Sequence, residues 1–241
     1  MSFNETLQAK TAYAEEILSS YLPKEEGYQK IVLEAMNYSV LAGGKRLRPM
    51  LMLEAYRLFK GEGNLVEPFM AAIEMIHTYS LVHDDLPAMD NDEYRRGMKT
   101  THVVYGEGMA VLAGDALLNY AYETALKAYD IEKSDNIIPA LRVLSDKAGI
   151  FGMVGGQAVD VEAEKKELVL REEELLFIHE KKTSALIQAS LMVGAILAGA
   201  SQADVSKMEL VGKYLGLAFQ IQDDILDVTG TLQELGKPIG S

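Results

Sequence analysis

Two acidic clusters carry the first chemical signal in this sequence. One is Asp84-Asp85-Leu86-Pro87-Ala88-Met89-Asp90-Asn91-Asp92-Glu93; the other, more than half the chain further on, is Asp223-Asp224-Ile225-Leu226-Asp227. Each lies towards the C-terminal end of a strongly apolar helical stretch. Carboxylates four apart on a helix share a face and repel, and acids near a helix C-terminus oppose the macrodipole. Asp223 and Asp227 meet both penalties, flanked by Phe219, Ile221, Ile225 and Leu226. A multivalent cation between them removes the cost. Hard oxygen donors without histidine or thiolate favour magnesium over zinc or copper, and magnesium completes its octahedron with water and substrate phosphate. The implied ligand is a polyphosphate bridged by metal to two aspartate banks. Either cluster alone is more simply a solvated helix end, but two such clusters, each set in an apolar helix, favour the metal reading. Pro87 cannot donate to the helix ladder and biases Leu86 away from helical angles, so the chain bends and presents Asp90 from beyond the bend.

Phosphate also needs cations. Gly43-Gly44-Lys45-Arg46-Leu47-Arg48-Pro49 sets three of them behind a glycine pair. Glycine permits close backbone approach and arginine offers a bidentate fork. Arg95-Arg96-Gly97 follows the first acidic cluster, and Lys181-Lys182-Thr183 and Gly236-Lys237-Pro238 are further basic patches. Against a formal net charge of −13, Arg46 and Lys181 are most simply salt-bridge partners of nearby acids. Lys45, Arg48, Arg95 and Arg96 suit phosphate better. His77 stands two helical turns before Asp84, on the same face.

These groups must be held by helices. Apolar residues recur at helical spacing from Ile31 to Val40, over Met50–Leu58 just after Pro49, Pro68–His83, Met109–Ala128, Asn136–Gly149, Glu172–Phe177 into Ser184–Ala200, and Lys207–Val228. Pro68–His83 is apolar nearly all round, which predicts a central helix. No period-two run calls for strands. Breaks are expected at Gly61–Asn64, Arg96–Thr101, Gly155–Gly156 and around Gly230, and the run Glu162–Glu174 reads as a solvated face and connection. The expectation is an all-α, single-domain helical bundle over residues 1–241.

Composition excludes several functions. The acidic balance argues against a nucleic-acid or anionic membrane partner. With no cysteine, disulfides, thiolate catalysis and zinc–thiolate sites are ruled out. Met1–Lys30 has no apolar run of the signal-peptide type. Ala185–Ala200, broken by Gln188 and Ser190, falls short of the roughly 20 residues of a membrane helix. A cytoplasmic protein is expected.

The motifs together resemble a known family. Glu74–His102 (EMIHTYSLVHDDLPAMDNDEYRRGMKTTH) resembles the first aspartate-rich region of bacterial farnesyl and geranylgeranyl diphosphate synthases, and Gly216–Asp227 (GLAFQIQDDILD) the second. GGKRLRP, GDALL at Gly114–Leu118, GGQAVD at Gly155–Asp160, KTSALI at Lys182–Ile187 and GKPIG at Gly236–Gly240 occur in the order of these trans-prenyl diphosphate synthases. The resemblance runs from about Tyr38 to the end of the sequence.

It implies an isoprenoid-synthase bundle around a central cavity, a homodimer, and three magnesium ions held by Asp84, Asp85, Asp90 and Asp223, with Asp224 and Asp227 close behind. Isopentenyl diphosphate would be held by Lys45, Arg48, His77 and Arg96, and the allylic diphosphate by Arg95, Lys182 and Lys237. Thr183 and Gln220 would face the developing carbocation. Tyr79 and Ser80, just upstream of the first acidic cluster, would form the floor of the product pocket; Tyr79 stands roughly 7.5 Å along the helix axis from Asp84. A tyrosine there, with the two-residue insertion in the acidic motif, resembles the bacterial farnesyl type. Ser184 stands where the family more often has glycine, and the family's further C-terminal helices are expected to be missing after Ser241. The readings to separate are a farnesyl diphosphate synthase, a geranylgeranyl diphosphate synthase and a non-catalytic subunit of a heteromeric synthase. A terpene cyclase would leave the isopentenyl-binding cations without work.

Overall fold

The computed structural model describes residues 2–166 and 170–229, with side chains left aside at 223, 224 and 226–229. Its elements are α1 (Phe3–Tyr21), α2 (Lys30–Leu41), α3 (Leu47–Leu58), α4 (Glu67–Asp84), α5 (Thr101–Tyr105), α6 (Glu107–Leu126), α7 (Ala128–Ile131), α8 (Ile137–Ala148), α9 (Met153–Lys165), α10 (Glu172–Ile178), a π-helical turn (His179–Ser184), α11 (Ala185–Leu197) and α12 (Gln202–Thr229). The fold is all-α, as the apolar spacing requires.

α4 is the central helix, packed against α6 and ringed by α1, α2, α3 and α11. Phe69, Met70, Ile73, Met75 and Ile76 are fully enclosed around its circumference. That all-round burial is what an all-round apolar sequence can stabilise. α11 lies between α3, α8 and α12 and hides all but one of its thirteen residues; it is a core helix, and among the described residues no helix is long and apolar enough to cross a membrane. One contiguous apolar cluster joins α1, α2, α3, α4, α6, α8 and α11.

The structure departs from the sequence expectations at four places. α1 was not expected: Ser2 and Glu5 form a reciprocal capping box (Ser2 N to Glu5 Oε2, 2.6 Å), and Ala14, Ile17 and Leu18 bury the inner face. α3 begins at Leu47, so Pro49 lies inside its first turn, where the missing N–H has no helical partner to lose. A short hairpin, β1 (Tyr94–Arg95) with β2 (Met98–Lys99), occupies part of the Arg96–Thr101 break. Its turn residues Arg96 and Gly97 have φ of 53° and 78°, the two left-handed residues that tight hairpins require. Lastly, Gly155–Gly156 is no break but lies within α9. A Cβ on Gly156 would collide with the backbone nitrogen of Lys182, so the pair serves close packing of α9 on the π-helical turn.

Candidate active site

A cavity of about 1450 Å³ opens among α3, α4, the hairpin, α9, the π-helical turn and α12. Lys45, Arg48, His77, Tyr79, Ser80, Asp84, Arg95, Arg96, Lys182, Thr183 and Gln220 all line it. Segments distant in sequence thus converge on one space.

The first acidic bank forms where α4 ends at Asp84. After Pro87 the chain turns back, and the Asp90 backbone N–H donates to the Asp84 carbonyl at 2.9 Å; Asn91 takes a left-handed φ of 55° to make the turn. Asp90 is presented beyond the bend, as Pro87 dictates. Burial pushes the Asp84 carboxyl up to about 6, Lys182 opposing the shift and Asp90 adding to it. Asp85 is 4% exposed and lies behind the cavity wall, gripped by Arg95 through Nε (2.7 Å) and Nη2 (2.6 Å). Burial raises the Asp85 carboxyl. It also works against Arg95, where the ion pair prevails and raises the guanidinium. Both groups move up, because burial outweighs the pairing at Asp85 and the pairing outweighs burial at Arg95; the short two-point contact identifies an ion pair.

The cationic wall faces this bank. Lys45 lies over the Phe219 ring at 5.5 Å. Arg96 donates to the Gly43 carbonyl, and a Cβ on Gly44 would sit 2.5 Å from its Nη1, so the glycine pair makes room for the guanidinium. Burial lowers Arg48 and Arg96, and Arg48 Nε is enclosed without a hydrogen-bond partner among the described residues. His77 is held well below the ordinary imidazole range by burial and by the charges of Arg48, Arg96, Arg95 and Arg46; it is neutral at pH 7. Arg46 is instead a buried partner of Glu74 at 2.8 Å, and Lys181 pairs with Glu180 at 3.8 Å. Both are salt-bridge residues, as their acidic surroundings suggested.

The π-helical turn supplies the third wall. Its extra residue per turn shifts the register between α10 and α11 and aims Lys182 and Thr183 at the cavity. Thr183 Oγ1 donates to Gln220 Oε1 at 2.9 Å, so two oxygen-bearing side chains meet there. Ser184 is fully enclosed, donates to the His179 carbonyl at 3.1 Å and fills the space against Gly216. The serine is accommodated by a glycine on α12.

Two residues of α9 join the site, both within the GGQAVD motif, though no role was read for either from the motif. Gln157 Nε2 donates to Asp84 Oδ1 at 2.8 Å, and Asp160 Oδ2 holds Lys182 Nζ at 2.5 Å. That contact raises Lys182 although burial opposes it. Much of the remaining lining is apolar (Leu81, Leu86, Met89, Val111, Met153, Val154, Ala158, Val161 and Ile187), with Arg46, Glu74 and His83 also at its border. Tyr79 stands in this lining, 6% exposed, edge-on to His83 at 5.8 Å. Burial pushes its phenol up to about 12. Ser80 donates to the His77 carbonyl at 2.9 Å.

The side chains of Asp223, Asp224 and Asp227 lie outside the described residues, as does Lys237; the three aspartates belong to α12. Among the described residues no three carboxylates or histidines converge tightly enough to cage a metal ion. Magnesium takes one or two carboxylates from a protein and completes its shell with water and phosphate. The oxygen-only donors of the first bank fit such an ion.

The family model for polyprenyl synthetase matches residues 29–241. The chain is 45% identical over 246 residues to a farnesyl diphosphate synthase of Geobacillus stearothermophilus, covering 100% of this chain and 80% of the relative. It is 43% identical over 235 residues to a geranylgeranyl diphosphate synthase of Cyanophora paradoxa, covering 97% and 77%. Among solved structures, an apo FPP/GFPP synthase from Zymomonas mobilis superposes with a TM-score of 0.87 at 34% identity, over 95% of this chain and 82% of that one. With the fold, the motifs and the relatives in agreement, the chain belongs to the polyprenyl synthetase family and is a prenyltransferase.

Proposed function

We propose that this protein condenses isopentenyl diphosphate head-to-tail with dimethylallyl and then geranyl diphosphate, releasing farnesyl diphosphate. The observation that carries the reading is one large cavity lined both by charged side chains and by apolar ones. Its volume of about 1450 Å³ exceeds the ~300–1,000 Å³ typical of a pocket for one small ligand and suits two substrates side by side.

Lys45, Arg48, Arg96 and neutral His77 bind the isopentenyl diphosphate, with His77 free to donate or accept one hydrogen bond without adding charge. Arg95, Lys182 and Lys237 hold the allylic diphosphate. Three magnesium ions would be held by Asp84 and Asp90 with Asp223, Asp224 and Asp227, Asp85 standing behind them in its ion pair with Arg95, and would supply neutralisation of the departing diphosphate's charge. The allylic C–O bond breaks and its electron pair leaves with the diphosphate. The isopentenyl double bond attacks the allylic carbon, and a proton then passes to the released diphosphate. Thr183 and Gln220 present oxygen dipoles towards the transient cation, an electrostatic contribution fixed before the reaction. The apolar lining excludes water that would otherwise capture the cation.

Tyr79, buried in the cavity lining, favours the fifteen-carbon product. Relatives of both product lengths match nearly equally well, so this side chain carries the chain-length assignment. We further read the active form as a cytoplasmic, single-domain homodimer. Incubation with labelled isopentenyl diphosphate, dimethylallyl diphosphate and magnesium, followed by chromatography of the dephosphorylated alcohols, tests the assignment. A C15 alcohol is expected; a C20 alcohol would make the protein a geranylgeranyl diphosphate synthase.

A further inference from the structure

Arg46 sits between Lys45 and Arg48, but both Nη atoms of its guanidinium are committed to the protein, while its enclosed Nε has no hydrogen-bond partner among the described residues. Its side chain is 2% exposed. Nη1 donates to Glu74 on α4 and Nη2 to the Val40 carbonyl on α2, both at 2.8 Å, while Nε lies 3.5 Å from Glu15 on α1. One guanidinium thus joins three helices at the base of the cationic wall. Glu74 is as deeply buried, 3% exposed, one helical turn before His77.

The loop it belongs to has an unusual backbone. Gly43, Gly44 and Arg46 have φ of 83°, 149° and 49°, and Arg46 is the N-cap of α3, whose first turn carries Arg48. A non-glycine residue stays in the left-handed region only where its surroundings over-determine it. The bonds to Glu74 and Val40 do so here. Through that reversal, Lys45 before Arg46 and Arg48 after it both reach the cavity. A buried ion pair is a weak source of stability, since apolar side chains of similar size often serve as well. Stability alone therefore does not account for charge at this place.

We infer that Arg46 and Glu74 form a positioning pair, which holds the left-handed turn that presents Lys45 and Arg48 to the diphosphate of the isopentenyl substrate. The inference rests on the assignment of this wall to that substrate. Both residues border the base of the cavity, but their bonds are to each other and to Val40, so the pair acts through its neighbours.

The test is the double variant Arg46→Met with Glu74→Leu, which removes both charges without leaving one buried and unpaired, beside the single variant Glu74→Gln. Steady-state constants are measured for each substrate with the other saturating, alongside melting temperatures. The expected result is a KM for isopentenyl diphosphate raised at least tenfold in the double variant, with the allylic KM within twofold of the parent and kcat less affected. Glu74→Gln moves the same constant in the same direction, so the inference stays open to refutation if the double variant does not fold. Unchanged constants, or two KM values rising together, would overturn it. Lys45→Ala is the control. If it raises the isopentenyl KM and the pair variants do not, the pair is structural only. If none of them does, the assignment of the wall fails and the inference with it.

Discussion

Asp84→Asn should stabilise the metal-free protein while abolishing turnover. Burial raises the Asp84 carboxyl from 3.8 to about 6. A shift of about two units at 1.36 kcal/mol each sets a ceiling of about 3 kcal/mol. The side chain edges the open cavity, where water screens it, and about 1–2 kcal/mol is the reasonable figure. The sign follows from linkage: the folded pKa lies above the unfolded one, so the favourable contribution is complete below about pH 3.8 and is lost as pH rises through 6. Above that, the wild-type chain holds an ionised carboxylate that the fold disfavours, and asparagine holds none. Asparagine also keeps an oxygen to accept from Gln157, so the 2.8 Å hydrogen bond survives. Urea unfolding in the presence of a chelator, at pH 8, 6 and 4.5, measures the effect. The variant should be the more stable protein at pH 8, by about 1–2 kcal/mol, with the advantage shrinking towards pH 4.5. A variant less stable at pH 8, or a difference independent of pH, would refute the reasoning from burial.

Three further substitutions probe other walls. Gly44→Ala places a methyl 2.5 Å from Arg96 Nη1 and should raise the isopentenyl KM about tenfold, worth about 1.4 kcal/mol, as read from steady-state kinetics; a change under twofold would contradict the proposed place of Arg96. Tyr79→Ala should lengthen the product to C20 or beyond by chromatography. Because the ring faces the cavity rather than closed core, the loss of stability should be about 1–3 kcal/mol. Gly156→Ala drives a methyl into the Lys182 backbone nitrogen; a loss of about 1–3 kcal/mol is expected in urea unfolding, and kcat should fall as α9 and the π-helical turn separate.

Much of the site was legible in the sequence because its chemistry is carried by residue type. Acid pairs at helical spacing inside apolar runs, and cations beside glycine, are locally costly patterns, and Asp84, Lys45 and Arg96, which those patterns singled out, line one cavity. Pro87 likewise announced the bend that the Asp90-to-Asp84 backbone bond completes. Contacts between remote segments left no local mark. Gln157 lies 73 residues from Asp84, and Asp160 lies 22 from Lys182; neither breaks a rule within its own helix. The π-helical turn was hidden for a related reason: one extra residue in a turn barely disturbs an apolar run. Gly155–Gly156 misled because glycine marks close approach as readily as a break. α1 was readable in principle from Ser2 and Glu5, but its polar, exposed outer face obscured the buried positions Ala14, Ile17 and Leu18.

The most direct measurement is a single turnover with geranyl diphosphate and labelled isopentenyl diphosphate, run with magnesium and with a chelator. Farnesyl diphosphate should form in one burst with magnesium, and not at all with chelator. Condensation that persists without metal would contradict the role of the acidic banks. No condensation under either condition, from folded protein, would contradict the enzymatic reading itself.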